Sequence, residues 1–326
     1  MINRDNNPYF LNSFLDYSIT ILNKSPNSIK EYNYDLMMFF RFIKLHFNLT
    51  SETEFKKIDI HDINTKILKK ITLDDIHAFL SYITINFKSK AATRARKVST
   101  IRIFFNFLCK KEKLININPA QDLETPKLDK RLPKYLSLDD SKKLLNITYN
   151  EDNRNYFRDY AIITLFLNCG MRLSELVSIN IQDVDFSDCK LNVIGKGNKE
   201  RTIYLNKACM NAISNYLPTK PIVSKHDSKY SEKALFLSER KTRISNRTVE
   251  YVVTKHLSAA GLDTKKYSVH KLRHTAATLM YQYGKVDIRA LQELLGHQSI
   301  STTEIYTHVS NDQVRDAVEN NPLSDI

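Results

Sequence analysis

The chain has 326 residues, 42% of them apolar and only six of them glycine, which suits two ordinary domains with real cores and excludes fibrous or low-complexity architectures. A formal charge of +13 favours polyanionic partners through counterion release and long-range attraction, although charge alone names none. The first residues form no signal-peptide-like apolar region and no run reaches bilayer length, so a reducing cytoplasm is the expected compartment.

The four cysteines, Cys109, Cys169, Cys189 and Cys209, are widely spaced, with no Cys-x-x-Cys pair and no histidine at ligand spacing. Neither disulfides nor a structural metal is expected. Cys109 and Cys169 lie in apolar runs and read as small buried hydrophobes.

Ser25-Pro26 opens a helix, a hydroxyl cap followed by proline at the first helical position. Apolar residues recur at helical spacing from Ile29 to Phe47, and a polar, partly helical connection follows over residues 48–70. Thr72 caps the next helix, with Asp75 at its third position. The segment from Lys88 to Lys113 then carries nine Lys or Arg against one acid, Glu112. Its later turns are apolar (Val98, Ile101, Phe104, Phe105, Leu108), while its first turns hold Lys88, Lys90, Arg94, Arg96 and Lys97. One end is therefore anchored in a core, and the other presents cations suited to phosphates. Asn118-Pro119 stops that helix, and the proline-punctuated stretch 120–133 reads as a linker long enough for two domains to close around a duplex.

Beyond the linker, a helix starts at Ser137 and a nearly all-apolar one runs from Phe157 to Asn168, ending at Cys169-Gly170. Arg172 emerges from that cap, with Glu175 three residues later on the same helical face. Residues 190–206 alternate as a β-hairpin whose tip is Gly195-Lys196-Gly197-Asn198. Lys196, Lys199 and Arg201 together suggest a tip aimed at an anion. Ser245 caps a helix that follows Arg240, Lys241 and Arg243, so Asn246 and Arg243 stand where a phosphate or major-groove edge would bind. Ser268 caps another, placing His270 and Arg273 on one face, while His274 points elsewhere. Finally Leu294-Leu295-Gly296-His297 ends a helix that begins near Asp287. Ser301, with Glu304 three residues on, looks like a fresh helix start that carries Tyr306.

Arg172-x-x-Glu175, the hairpin around Lys196, His270-x-x-Arg273, Leu295-Gly296-His297 and Tyr306, in that order, resemble the tyrosine recombinases of the phage-integrase family, and within it the bacterial Xer type. The resemblance covers nearly the whole chain. It implies a mainly α fold with a small β-sheet. An all-helical, SAM-like core-binding domain would occupy residues 1–119, a linker 120–133, and a mixed α/β catalytic domain of the DNA breaking-rejoining fold 134–326. It further implies Tyr306 as nucleophile, Arg172 and Arg273 as clamps on the scissile phosphate, and Lys196 as general acid. His270 and His297 would hydrogen-bond the phosphate or assist proton transfer, and Glu175 would orient Arg172.

The chemistry calls for these residue types. Two guanidiniums offset charge that builds up on a phosphodiester in the transition state. A phenol needs a base or nearby cations to attack near neutral pH, and an alkoxide leaving group needs a proton. A phosphotyrosyl bond conserves the energy of the broken phosphodiester, so no ATP, metal or other cofactor is expected. The implied partners are double-stranded DNA with an inverted-repeat site, a homo- or hetero-tetramer on it, a second Xer-type recombinase and a DNA translocase, with no membrane. The expected role is resolution of chromosome or plasmid dimers, favoured by the lack of an arm-binding domain before Asn27. The long polar stretch 48–70 leaves a phage or transposon integrase as the alternative. A type IB topoisomerase or a non-catalytic DNA-binding protein fits less well. The helix carrying Tyr306 is expected to move and to set which protomers are active.

Overall fold

The structure is a computed structural model and describes residues 4–127, 134–148, 155–195, 200–222, 229–284, 286–296 and 302–303. The chain divides into two compact units, residues 1–130 and 131–326.

The first unit is helical: α1 (Tyr9–Thr20), α2 (Pro26–His46), α3 (Thr65–Lys70), α4 (Leu73–Phe87) and α5 (Ala91–Lys110). Ser25 caps α2 by accepting the Ser28 N–H, and Thr72 and Asp75 form a reciprocal capping box on α4. The core is unusually aromatic. Phe10, Phe14, Phe39, Phe40, Phe79, Phe104 and Phe105 are fully buried. Their rings meet edge-on, as between Phe39 and Phe79 at 5.2 Å and 80°, the orientation that the ring quadrupole favours. Burying one such ring favours folding by about 2 kcal/mol. The polar stretch before α3 is strapped onto α2 rather than hanging free. Ile58, Ile60 and Ile63 enter the core, Arg41 donates to the Ile58 carbonyl at 3.1 Å, and Lys44 reaches Asp62 at 2.7 Å.

The second unit holds α6 (Leu138–Thr148), α7 (Tyr156–Cys169), α8 (Leu173–Ser178), the strands β1 (Val184–Asp185), β2 (Lys190–Ile194) and β3 (Glu200–Tyr204), then α9 (Lys207–Tyr216), α10 (Lys229–Glu232), α11 (Asn246–Ala259), α12 (Val269–Tyr283) and α13 (Ile288–Leu295). The sheet is antiparallel in the order β1-β2-β3, with Val193 opposite Arg201 and Leu191 opposite Ile203. Helix α7 is central: Ala161, Ile162, Ile163, Leu165 and Phe166 are fully buried, and it packs on α9 and α12. It ends at Gly170, whose φ of +58° is the left-handed cap that glycine adopts without penalty.

Several expectations change. The linker does not begin at residue 120, because Ala120 and Leu123 are buried in the first unit's core and Arg102 holds the Leu123 carbonyl and the Thr125 hydroxyl. Apolar side chains there outweigh the proline punctuation. Helix α1 lacks any sequence start signal, since Pro8 at its N-cap makes no side-chain cap bond. Ser268 occupies the N-cap of α12, but its hydroxyl makes no cap bond. Cys109 is half-buried rather than core, whereas Cys169 is buried with its Sγ 3.7 Å from that of Cys209.

Candidate active site

The left-handed turn at Gly170 swings the chain out of the core, so that Arg172 lies at the rim and α8 starts immediately after it. Glu175, one turn on, is 1% exposed. Its carboxylate accepts the Arg172 backbone N–H and the Arg172 Nη1–H, each at 2.7 Å. Its second cation is Arg201 of β3, which donates from Nη2 at 2.9 Å. Burial pushes the Glu175 carboxyl upward. The hydrogen bonds and charges of Arg201 and Arg172 outweigh that and hold it below the ordinary glutamate value. Glu175 is therefore an anion that fixes two guanidiniums.

Arg201 was expected with Lys196 and Lys199 at a hairpin tip aimed at an anion, but its side chain turns inward instead. Its side chain is 13% exposed and pairs across the sheet with Val193 on the inward face. The alternation Arg201, Ile203, Leu205 already carries that signal, because a period of two puts all three on one face.

The third guanidinium comes from α12. Arg273, 4% exposed, donates to the Gly170 carbonyl at 2.6 Å and to the Leu295 carbonyl at 2.7 Å. Arg172 donates from Nη2 to the Gly296 carbonyl at 2.8 Å, and Arg201 donates to that of Leu294. Three arginines thus converge on three successive carbonyls at the end of α13. Those carbonyls have no partner within the helix, and the negative end of the helix dipole favours cations. Both glycines sit in the left-handed region, which favours glycine, and both contacts are close. A Cβ on Gly170 would lie 2.9 Å from Leu295 Cδ2, and one on Gly296 (φ +62°) 3.0 Å from Arg201 Cδ.

Arg172, Arg273 and His270 share one cleft of about 780 Å³, with Asn246, Glu250, Thr254, Ser268 and Thr302 on its walls. His270 keeps contact with solvent. The protein packed around it nevertheless pushes its imidazole below the usual histidine value, and Lys271, Arg273 and Arg172 push the same way. It is therefore neutral near pH 7 and able to accept a proton. Among the described residues, buried Glu175 and exposed Glu250 face the three guanidiniums of Arg172, Arg201 and Arg273, which leaves a positive surplus suited to a bound phosphate. Glu250 and Thr254 were not singled out from the sequence; their spacing of four and eight residues from Asn246 puts them on its helical face.

The other expected DNA contacts divide. Arg243 faces inward, donating to the Val177 and Ile179 carbonyls at 3.0 Å and to Asn180 at 2.5 Å, so it braces the end of α8. Lys97 is 2% exposed, with its ammonium 2.7 Å from Asp35, and is a core residue rather than a surface cation. It sits four residues before Ile101 and seven before Phe104, on the apolar stripe of α5. Arg96 pairs with Asp35 and Glu31, and Arg94 is half-buried with its guanidinium on the Ser89 carbonyl. Lys88 and Lys90 are exposed in the turn between α4 and α5. Lys196, Lys199, His297 and Tyr306 lie outside the described residues, as do the expected start at Ser301 and the end segment.

Known proteins agree with this architecture. The sequence pattern of the phage integrase family matches residues 134–313. The tyrosine recombinase XerC of Caldanaerobacter subterraneus subsp. tengcongensis is 54% identical over 318 residues, which cover 97% of this chain and 88% of that protein. The XerC of Thermodesulfovibrio yellowstonii is 36% identical over 93% of each chain. A crystal structure of XerH recombinase bound to a palindromic difH substrate shares the fold, with a TM-score of 0.67 and 21% identity over 95% of this chain and 94% of that one. The chain belongs to the phage integrase family, the tyrosine recombinases, enzymes that cut and rejoin DNA in site-specific recombination. Among the described residues no helix is long and apolar enough to cross a membrane.

Proposed function

We propose that this recombinase works through Arg172, Lys196, His270, Arg273, His297 and Tyr306, with Glu175 in support. The observation that carries the reading is the cleft where Arg172, Arg273 and His270 meet. The Tyr306 phenol attacks the scissile phosphorus. A 3′-phosphotyrosyl bond forms as the bond to the 5′ oxygen breaks. Neutral His270 is suited to take the phenol proton, and Lys196 gives one to the departing oxygen. Arg172 and Arg273 neutralise the non-bridging oxygens, and His297 adds a hydrogen bond. Attack by the partner strand's 5′ hydroxyl reverses these steps, and a second round resolves a Holliday junction.

The first unit acts as the core-binding domain, with Lys88 and Lys90 its exposed cations, and the second as the catalytic domain. The substrate is an inverted-repeat duplex, bound by four protomers in the cytoplasm with a second Xer-type recombinase and a DNA translocase. Likeness to XerC over almost the whole chain favours resolution of chromosome or plasmid dimers. To test this, DNA that the protein selects from a random pool is rebuilt as a nicked duplex. The wild type should form a covalent protein–DNA adduct, and Tyr306→Phe should bind the duplex equally well without one. Adducts from the variant would refute the nucleophile assignment.

A further inference from the structure

We propose that Arg201 is a positioning residue for the phosphate clamp, acting on Arg172 through Glu175 and on the end of α13 through the Leu294 carbonyl. The inference rests on the reading of Arg172 as a clamp. Three observations carry it. Arg201 is the only side chain among the described residues that bonds both the Glu175 carboxylate and an α13 carbonyl without lining the cleft. Its Nε is buried with no hydrogen-bond partner among those residues, so two directed bonds, not general solvation, hold the side chain in place. Gly296 is bare where a Cβ would lie 3.0 Å from Arg201 Cδ, 3.3 Å from its Nε and 3.6 Å from Arg172 Nη1, so both guanidiniums share one tight space beside the helix end.

The geometry makes a chain of fixed parts. Glu175 has two carboxylate oxygens. Oε2 is shared between Arg201 and the Arg172 backbone, and Oε1 takes the Arg172 guanidinium. Removing Arg201 takes away one of the three bonds that fix the carboxylate and leaves Oε2 on the Arg172 backbone N–H alone, so the group turns more easily about its terminal torsion, which has no deep staggered wells. Arg172 then follows, because its Nη1 is bound to that carboxylate. A displacement of about 1 Å in such a group costs on the order of 10²-fold in rate. Lysine cannot replace the fork. It preserves the charge beside Glu175, and with it the fold, but a single ammonium cannot reproduce two planar, directed donors.

The test uses the full-length protein and a nicked duplex carrying the site that the wild type selects. The duplex is prepared with either a normal scissile phosphate or a methylphosphonate, in which one charged oxygen is replaced by a methyl group. On the phosphodiester, Arg201→Lys and Arg201→Gln should cleave about 10²-fold more slowly than wild type, with DNA binding changed less than threefold. On the methylphosphonate, where less charge needs neutralising, the deficit should shrink to below about tenfold, in parallel with that of Arg172→Ala. A merely structural defect would be the same on both substrates. An undiminished deficit in the Arg201 variants beside a diminished one in Arg172→Ala, or no deficit at all, overturns the role of Arg201. An undiminished deficit in Arg172→Ala overturns the clamp reading itself.

Discussion

Asp35 in the first unit and Glu175 in the second are both fully buried carboxylates, and each holds two cations. Asp35 takes Arg96 at 2.5 Å, Lys97 at 2.7 Å and the Thr100 hydroxyl at 3.0 Å, all within one turn or so of α5. It ties two helices together. Arg96 also meets Glu31 at 2.8 Å, so two acids balance two cations. Glu175 serves cations from separate elements, the start of α8 and the strand β3, and each of those makes a second bond to the end of α13. Here one buried acid faces two guanidiniums, Arg273 adds a third against the exposed Glu250 of the cleft wall, and Arg172 keeps 29% of its side chain exposed. The same pairing chemistry yields a strut where charges balance inside a core, and an anion site where a surplus is left at a cleft.

Of substitutions at these two acids, Glu175→Gln should have the larger effect. An amide cannot hold two guanidiniums, so cleavage of the selected site should fall on the order of 10³-fold, with a stability loss of about 3 kcal/mol in denaturant melts. Asp35→Asn should lose about as much stability, because Lys97 is left buried beside a neutral group. Cleavage per folded molecule should change less than about threefold. If Asp35→Asn instead slowed cleavage as much as Glu175→Gln, the distinction between strut and site would fail.

The smallest effects are in pH dependence. Glu175 has its folded value lowered, so its contribution to stability is present above the ordinary value of 4.5 and lost as pH falls through the folded value. The stability gap between wild type and Glu175→Gln should therefore narrow below pH 4.5 in acid titrations of the melting curve. His270 is lowered from 6.5, so the unfolded chain takes up its proton first. Stability should fall as pH drops just below 6.5, and His270→Asn should remove that slope. A gap that stayed constant in acid, or a slope that persisted in the histidine variant, would contradict these assignments.

Much was legible from local pattern. The caps at Ser25, Thr72 and Ser245, the helix start near Asp287, the stop at Gly170 and the β2–β3 hairpin all follow from short-range backbone chemistry. The pairing of Arg172 with Glu175 was equally readable, since three residues span one helical turn. The failures share a cause. Lys97, Arg201 and Arg243 were read as cations reaching outward, yet each points inward to a partner far along the chain: Asp35, Glu175 and Leu294, and the end of α8. Periodicity placed Lys97 and Arg201 on buried faces, but a buried cation is credible only once its anion is known.

The sequence by itself thus determined most helical start and stop points, which depend on spacing along one segment, while Arg172, His270 and Arg273 were picked out by the resemblance to a family. Only the tertiary structure decided which cations were free to meet an anion and which were already matched, because charge compensation inside a protein is set by distances across the fold. It also brought Gly170, Arg201, Arg273 and the end of α13 into one junction, where close packing at Gly170 and Gly296 lets three guanidiniums share a single helix terminus.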